Sequence, residues 1–307
     1  MNERDIIARV RAMARHPAAR GLMDDAALLD GWVITHDTIA EGVHYLPGDP
    51  PETVGWKLAA VNASDLAAKG AEPTAGLLSL TINGDGAWES AFLDGLEQAF
   101  EAFGMALIGG DTIALPPSAP RVLGLTALGR AGPVTPRRSG GKAGDTLWLV
   151  GTLGDAAAGL AQLRDDAAAE GPLVEAYRQP RPLIAEGRAL AERVTAMMDV
   201  SDGLLIDAAR MAEACNLEAE IDLSALPLSP VFVAERGDGL EARLFAATGG
   251  DDYALLAAAS DPALATCLPD GAKLHAIGRL TEGAGLSLRF EGAEVPVPER
   301  LGHEHCP

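Results

Sequence analysis

The sequence predicts a mixed α/β protein in two domains. Three observations carry this expectation. Apolar runs of strand length alternate with helix-length segments, hydrophobic residues make up 48% of 307, and a Pro- and Gly-rich stretch interrupts the pattern near the middle. The opening MNERDIIARVRAMARHP is an amphipathic helix candidate without the unbroken apolar stretch of a signal peptide. Strand candidates follow at residues 32–35, 77–82, 106–108 and 122–128. The best helix of the chain, residues 52–69, lies between the first two, with Gly70 placed to end it. Residues 130–145, RAGPVTPRRSGGKAGD, hold two prolines and four glycines and read as a linker. The expected domains are therefore 1–135 and 136–307. The second rebuilds a strand at 146–150, a helix at 155–164, a Pro-rich turn at 180–182, a helix to about Val194 and a strand at 196–198. Acids between Asp165 and Pro182 read as solvated surface.

Asp and Glu number 44 against 24 Lys and Arg, a net charge of −20, which argues against a nucleic-acid-binding surface. No apolar run approaches the roughly 18 residues needed to cross a bilayer, so no membrane partner is expected. Cys215, Cys267 and Cys306 are widely spaced and form no C-x-x-C pair. That fits a reducing compartment, the cytoplasm, and excludes a disulfide framework.

The informative pattern is aspartates where apolar elements end. The strand at 32–35 runs into His36-Asp37-Thr38, that at 106–108 into Gly109-Gly110-Asp111-Thr112, and that at 196–198 into Asp199-Val200-Ser201-Asp202-Gly203. Strand ends are where sites are built. Helix capping is the competing explanation for Asp202 and for Asp155. Asp65 differs, because Val54, Leu58 and Val61 step by four and three along one helix face and the next step of four is Asp65. A buried bare carboxylate costs several kcal/mol, so it needs either the cation of Lys69 at i+4 or a metal. Many oxygen ligands and few histidines indicate Mg²⁺ or Ca²⁺ rather than zinc. No EF-hand loop occurs, and the tail His303-Glu304-His305-Cys306 lacks zinc-site spacing and reads as a mobile end.

Mg²⁺ on aspartates suggests phosphate chemistry, yet the usual nucleotide motifs are absent. Gly140-Gly141-Lys142-Ala143 lacks the Walker hydroxyl, and there is neither G-x-G-x-x-G nor H-R-D. Gly151-Thr152-Leu153-Gly154-Asp155 reads equally as an anion nest or a tight turn. Taken in order, other segments resemble the thiamine-monophosphate kinases, relatives of aminoimidazole ribonucleotide synthetase. They are Asp24-Asp25-Ala26-Ala27-Leu28, Asp37-Thr38 with Glu41-Gly42-Val43-His44, KLAAVNASDLAAKGAEP at 57–73, GGDT at 109–112, Arg138-Ser139-Gly140, GTLGDAAAGL at 151–160, DVSDGL at 199–204 and GGDDY at 249–253.

The resemblance implies an N-terminal domain whose sheet forms a barrel across a homodimer, with a C-terminal α/β domain closing over the nucleotide. It implies ATP-dependent phosphorylation of thiamine monophosphate, with ATP as co-substrate and several Mg²⁺ ions. By residue, it makes Asp25, Asp37, Asp65, Asp111 and Asp199 metal carboxylates, with Thr35 and His36 at the edge and Asp202 beside them. Gly110, Asp111, Arg138 and Ser201 would contact ATP, and His44 and Asp251 would face thiamine monophosphate. The sequence departs from the family pattern at Met23, His36, Asp251 and the GHEHC tail. Phosphate as nucleophile needs no general base, since its second pKa of about 6 leaves it largely deprotonated at pH 7. Two relatives of the same superfamily, the hydrogenase-maturation carbamoyl dehydratase and selenophosphate synthetase, need a reactive cysteine. Here Cys306 is followed by Pro307 and no cysteine precedes Cys215. A non-catalytic acidic metal-binding protein is the rival from another class.

Overall fold

The computed structural model describes residues 3–304. In chain order, α1 (Glu3–Met13) precedes β1 (Ala27–Leu29), β2 (Trp32–Ala40), α2 (Pro51–Ala68), β3 (Glu72–Ile82), α3 (Gly86–Phe103), β4 (Ala106–Ala114) and β5 (Val122–Arg130). These strands form one sheet in the order β1-β2-β5-β3-β4, antiparallel except for β3 beside β4. The second half contains β6 (Thr146–Val150), α4 (Asp155–Asp165), α5 (Pro172–Arg178), α6 (Ile184–Leu190), β7 (Ala196–Val200), α7 (Leu204–Cys215) and β8 (Glu218–Asp222). It continues with α8 (Pro230–Arg236), α9 (Leu240–Thr248), β9 (Ala254–Ala259), β10 (Leu274–Thr281), β11 (Gly285–Phe290) and β12 (Ala293–Val295). Its sheet runs β12-β11-β8-β10-β6-β9-β7, with only β11 beside β8 parallel among the described residues. The mixed α/β class read from the sequence is thus observed as two sheets with helices.

Helix α2 organises both halves. Five alanines and no β-branched run favour the helix, Pro51 starts it where no N–H partner is needed, and Gly70 ends it at φ +62°. There the Ala71 N–H donates to Leu66 O and the Gly70 N–H to Ala67 O. Its buried Val54, Leu58, Val61 and Leu66 pack with Phe92, Leu96 and Phe100 of α3 over the first sheet. The two helices approach as far as backbone allows: a Cβ on Gly95 would lie 1.9 Å from Glu52 O, and one on Gly55 2.2 Å from Phe92 O. At its other end Ala67 and Ala68 join Leu190 of α6 and Met197 of β7 in a second core. No residue between Val54 and Ala68 is fully exposed, so its polar side chains must find partners inside the protein.

Several expectations change. Asp37 and Asp111 do not end strands: β2 runs on to Ala40 and β4 to Ala114, because backbone pairing with β5 and β3 continues through the polar residues whether a position is buried, as at Ile39, or exposed, as along all of β4. The strands expected at 77–82 and 122–128 are interior, and the sheet edges are β1 and β4. The segment 165–182 is not all surface, since α5 buries Leu173, Val174 and Tyr177. Among the described residues no helix is long and apolar enough to cross a membrane.

Candidate functional site

The pleat of β2 sorts its side chains. Val33, Thr35 and Ile39 are buried and Asp37 half-buried, facing α2, whereas His36 and Thr38 lie exposed on the opposite face. The His36 imidazole meets Thr126 Oγ1 at 2.8 Å through Nδ1, so only its backbone could contribute to chemistry on the α2 side. From α2, Asn62 accepts the Asp37 N–H at 3.1 Å and donates to Leu58 O at 2.9 Å. Asp65 accepts the Thr35 hydroxyl, and Ser64 donates to Asp199 Oδ2 of β7 at 2.6 Å. Three elements thereby gather Asp37, Asp65 and Asp199.

These three carboxylates have no Lys or Arg in an ion pair among the described residues. Burial, reinforced by repulsion from neighbouring carboxylates with Asp25 among them in each case, pushes Asp199 up to about 8, Asp37 up to about 6 against the opposing pull of His36, and Asp65 well above the usual carboxylate range. Asp24 and Asp25, immediately beside them, are balanced instead. Lys69, fully buried, reaches both carboxylates and Met197 O. Arg20 bonds Asp24 at 2.6 Å, and Arg138 bonds Asp25. Burial alone would raise Asp25, but the Lys69 and Arg138 cations outweigh it and hold the carboxyl below its ordinary value. Lys69 therefore does not pair with Asp65, which removes the ion-pair alternative for that residue.

A cleft of about 320 Å³ opens on the uncompensated group and is lined also by His44, Ser201, Asp202, Asp251, Tyr253 and His303. The loop carrying Asp251 is clamped to the end of β7, with Asp251 N–H to Ser201 O at 2.8 Å and Tyr253 N–H to Val200 O at 2.9 Å. Lys57, buried beneath it, donates to Asp251 Oδ2 at 2.8 Å and to His44 O at 3.0 Å, and its ammonium lies 4.0 Å from the Tyr177 ring centroid. The Ala40 N–H donates to His44 Nδ1 at 3.1 Å. Asp202 takes Arg210 at 2.5 Å, while Asp207 accepts the Ser201 and Asp202 N–H groups at 3.1 Å each.

The expected caps are therefore reassigned. Asp202 does not cap α7. Nor does Asp155 cap α4, whose first N–H groups, on Gly154 and Ala156, are taken by Asp252. The tail is placed up to residue 304, with His303 N–H bonded to Asp202 O at 2.8 Å; His305 and Cys306 lie outside the described residues.

Gly110 and Asp111 stand apart in the single chain. Asp111 pairs in register with Ser79, which pairs with Gly124 and that with Thr38, so it shares the open sheet face with Thr38 and not the α2 face of Asp37. Its own Oδ1 accepts the Thr112 N–H. Sequence reasoning missed Lys57, Asn62, Ser64, Lys69 as a partner of Asp24, and Asp207. A signal existed for Lys57, which precedes Val61 and Asp65 at steps of four on the buried stripe. Among the described residues no three or more His, Cys, Asp or Glu side chains already converge to hold an ion.

Family models described as the AIR synthase related protein N-terminal and C-terminal domains match residues 23–131 and 142–291. The thiamine-monophosphate kinase of Caulobacter vibrioides is 38% identical, the match covering 99% of this chain and 90% of that protein. The Escherichia coli K12 enzyme of the same name is 38% identical over 80% of this chain and 78% of its own. Among solved structures, AaThiL complexed with AMPPCP and TMP superposes with a TM-score of 0.85 at 28% identity, covering 99% and 97% of the two chains. The thiamine-monophosphate kinase of Stenotrophomonas maltophilia gives 0.75 at 35%, covering 95% and 96%. The hydrogenase maturation protein HypE of E. coli, at 0.70 and 21% identity over 96% and 97%, shares the fold alone. With both halves matched in order and this identity over nearly its whole length, the chain belongs to the thiamine-monophosphate kinases of the AIR synthase related family.

Proposed function

We propose that the protein transfers the terminal phosphoryl group of ATP to the phosphate of thiamine monophosphate, giving thiamine diphosphate and ADP. The observation that carries this reading is the trio Asp37, Asp65 and Asp199, gathered from three elements, without a Lys or Arg in an ion pair among the described residues, and lining a cleft of about 320 Å³. Such a group fits Mg²⁺. Asp37, Asp65 and Asp199 would hold it, with Thr35 and the His36 backbone at the edge and Asp25 and Asp202 flanking. When bound, the metal supplies positive charge that offsets repulsion between two phosphates. The chain's own residues do the rest. Arg138 brings a fixed guanidinium to the nucleotide side, and Ser201 offers polar contact there. Lys57 fixes the positions of Asp251 and the His44 carbonyl, the groups assigned to thiamine monophosphate. No side chain is required as a base.

The open edges of the first sheet support a homodimer within this reading. β1 pairs only with residues 32–34 of β2, leaving residues 36–40 with an open edge, and β4 is open along its outer side. Joining β4 of one copy to β2 of another closes both edges. The test is ATP and Mg²⁺ offered with thiamine monophosphate or with thiamine, products separated. One ADP per thiamine diphosphate from the monophosphate alone is expected; equal turnover of free thiamine would overturn the reading.

A further inference from the structure

Helix α1 leaves every side chain from Ile6 to Met13 exposed. Ile6, Val10 and Met13 follow the i, i+4, i+7 spacing of one stripe, with Ile7 at its margin, and they are 50%, 48% and 78% exposed. At 100° per residue, Arg9 and Arg11 fall on opposite flanks of that stripe. A helix of 11 residues is marginal in water without a surface to pack on.

A fitting surface lies at the far edge of the first sheet. Between α3 and the edge strand β4 runs an apolar groove of about 380 Å³ formed by Leu93, Leu96, Phe100, Met105 and Leu107. Leu93 and Leu107 are 40% and 52% exposed. Asp94, Glu97 and Glu101, spaced by three and four on α3, make an acidic ridge beside it. An apolar stripe flanked by arginines thus matches an apolar groove flanked by acids.

We infer that α1 of one copy docks into the α3–β4 groove of a second copy. Docking within one chain is opposed by topology. α1 leads into β1, and the groove lies beyond β4, four strand spacings or about 19 Å away across the sheet. The chain between them is pinned at Arg20, which bonds Asp24, Thr135 O and Pro136 O. The inference rests on the dimer reading above: setting β4 of one copy beside the β1–β2 edge of the other carries the groove to the side where α1 begins.

Sedimentation of the full chain over a concentration series tests it. Ile6→Glu with Val10→Glu should weaken the dimer by about tenfold or more, as truncating an interface anchor does, while the far-UV circular dichroism of the body stays that of the wild type, because both side chains are exposed within their own chain. Glu97→Arg with Glu101→Arg should weaken it too, and adding Arg9→Glu and Arg11→Glu to that variant should restore association. A wild-type dimer whose constant neither set changes would overturn the docking and leave the dimer reading standing. A wild-type monomer at all concentrations would overturn both.

Discussion

Two groups of aspartates lie side by side in this protein and are oppositely treated, one closed in among cations and the other lining the cleft. Asp24 and Asp25, with side chains 3% and 2% exposed, are met by Lys69, Arg20 and Arg138. The carboxylates of Asp65 and Asp199 accept the Thr35 and Ser64 hydroxyls, and neither they nor Asp37 meet a Lys or Arg in an ion pair among the described residues. Burying a carboxylate costs several kcal/mol unless its charge is compensated. One group is compensated permanently by side chains, and the other waits for charge from solution. The difference separates charge that the fold supplies itself from charge that it leaves to be supplied, and single substitutions can break it on either side.

The largest effect is expected in the uncompensated group. Asp65→Asn keeps the volume and an acceptor for the Thr35 hydroxyl but removes the charge that would hold Mg²⁺. Turnover should fall by about a hundredfold or more, beyond the cost of losing a group that only orients a metal ligand. Without Mg²⁺ the variant should melt at a higher temperature than wild type, since it relieves repulsion with Asp37 and Asp199. A kcat series over Mg²⁺ beside thermal melts reads both; normal turnover at ordinary Mg²⁺ removes Asp65 from the site.

In the compensated group the sign on stability reverses. Lys69→Met leaves Asp24 and Asp25 facing each other with less positive charge in a site closed to water. Removing one partner of a buried pair costs about 3–5 kcal/mol, which urea unfolding would register. A loss under about 1 kcal/mol, the scale of exposed pairs, would show that Arg20 and Arg138 suffice and that the contrast between the groups is weaker than drawn.

The same contrast explains what the sequence disclosed. Asp65 was legible because helical periodicity set it on the stripe of Val54, Leu58 and Val61, and the ordered motifs disclosed the family. The partners were not, because Lys69 meets Asp24 across 45 residues and Ser64 meets Asp199 across 135, distances no local pattern spans. Spacing alone makes Lys69 a neighbour of Asp65 at i+4, but Lys69 caps the end of α2 with a non-helical backbone, and its ammonium turns to Asp24, Asp25 and Met197 O instead. The later strands escaped for another reason: Ala254–Ala259, ALLAAA, is buried at every position, and an unbroken apolar run has no period to separate strand from helix. The position of Asp111 was not legible, since the register that puts it on the open sheet face depends on pairing with β3.

The smallest expected effect concerns Lys57, which stands between the two groups in kind. Its ammonium is buried like that of Lys69, but its carboxylate partner Asp251 is 27% exposed and lines the cleft. Water can therefore replace part of what Lys57→Met removes, so the stability loss should be smaller than for Lys69→Met. Function should respond in a particular way. The ammonium ties Asp251 to the His44 carbonyl, two groups assigned to the acceptor and not to the metal, so freeing them should loosen acceptor binding without touching the charge that offsets the phosphates. KM for thiamine monophosphate should rise by about tenfold, the lower range for loss of an orienting contact, with kcat and KM for ATP nearly unchanged. If kcat falls instead and the acceptor KM holds, Lys57 acts on the reacting phosphates, and the division between permanent and exchangeable positive charge fails at this residue.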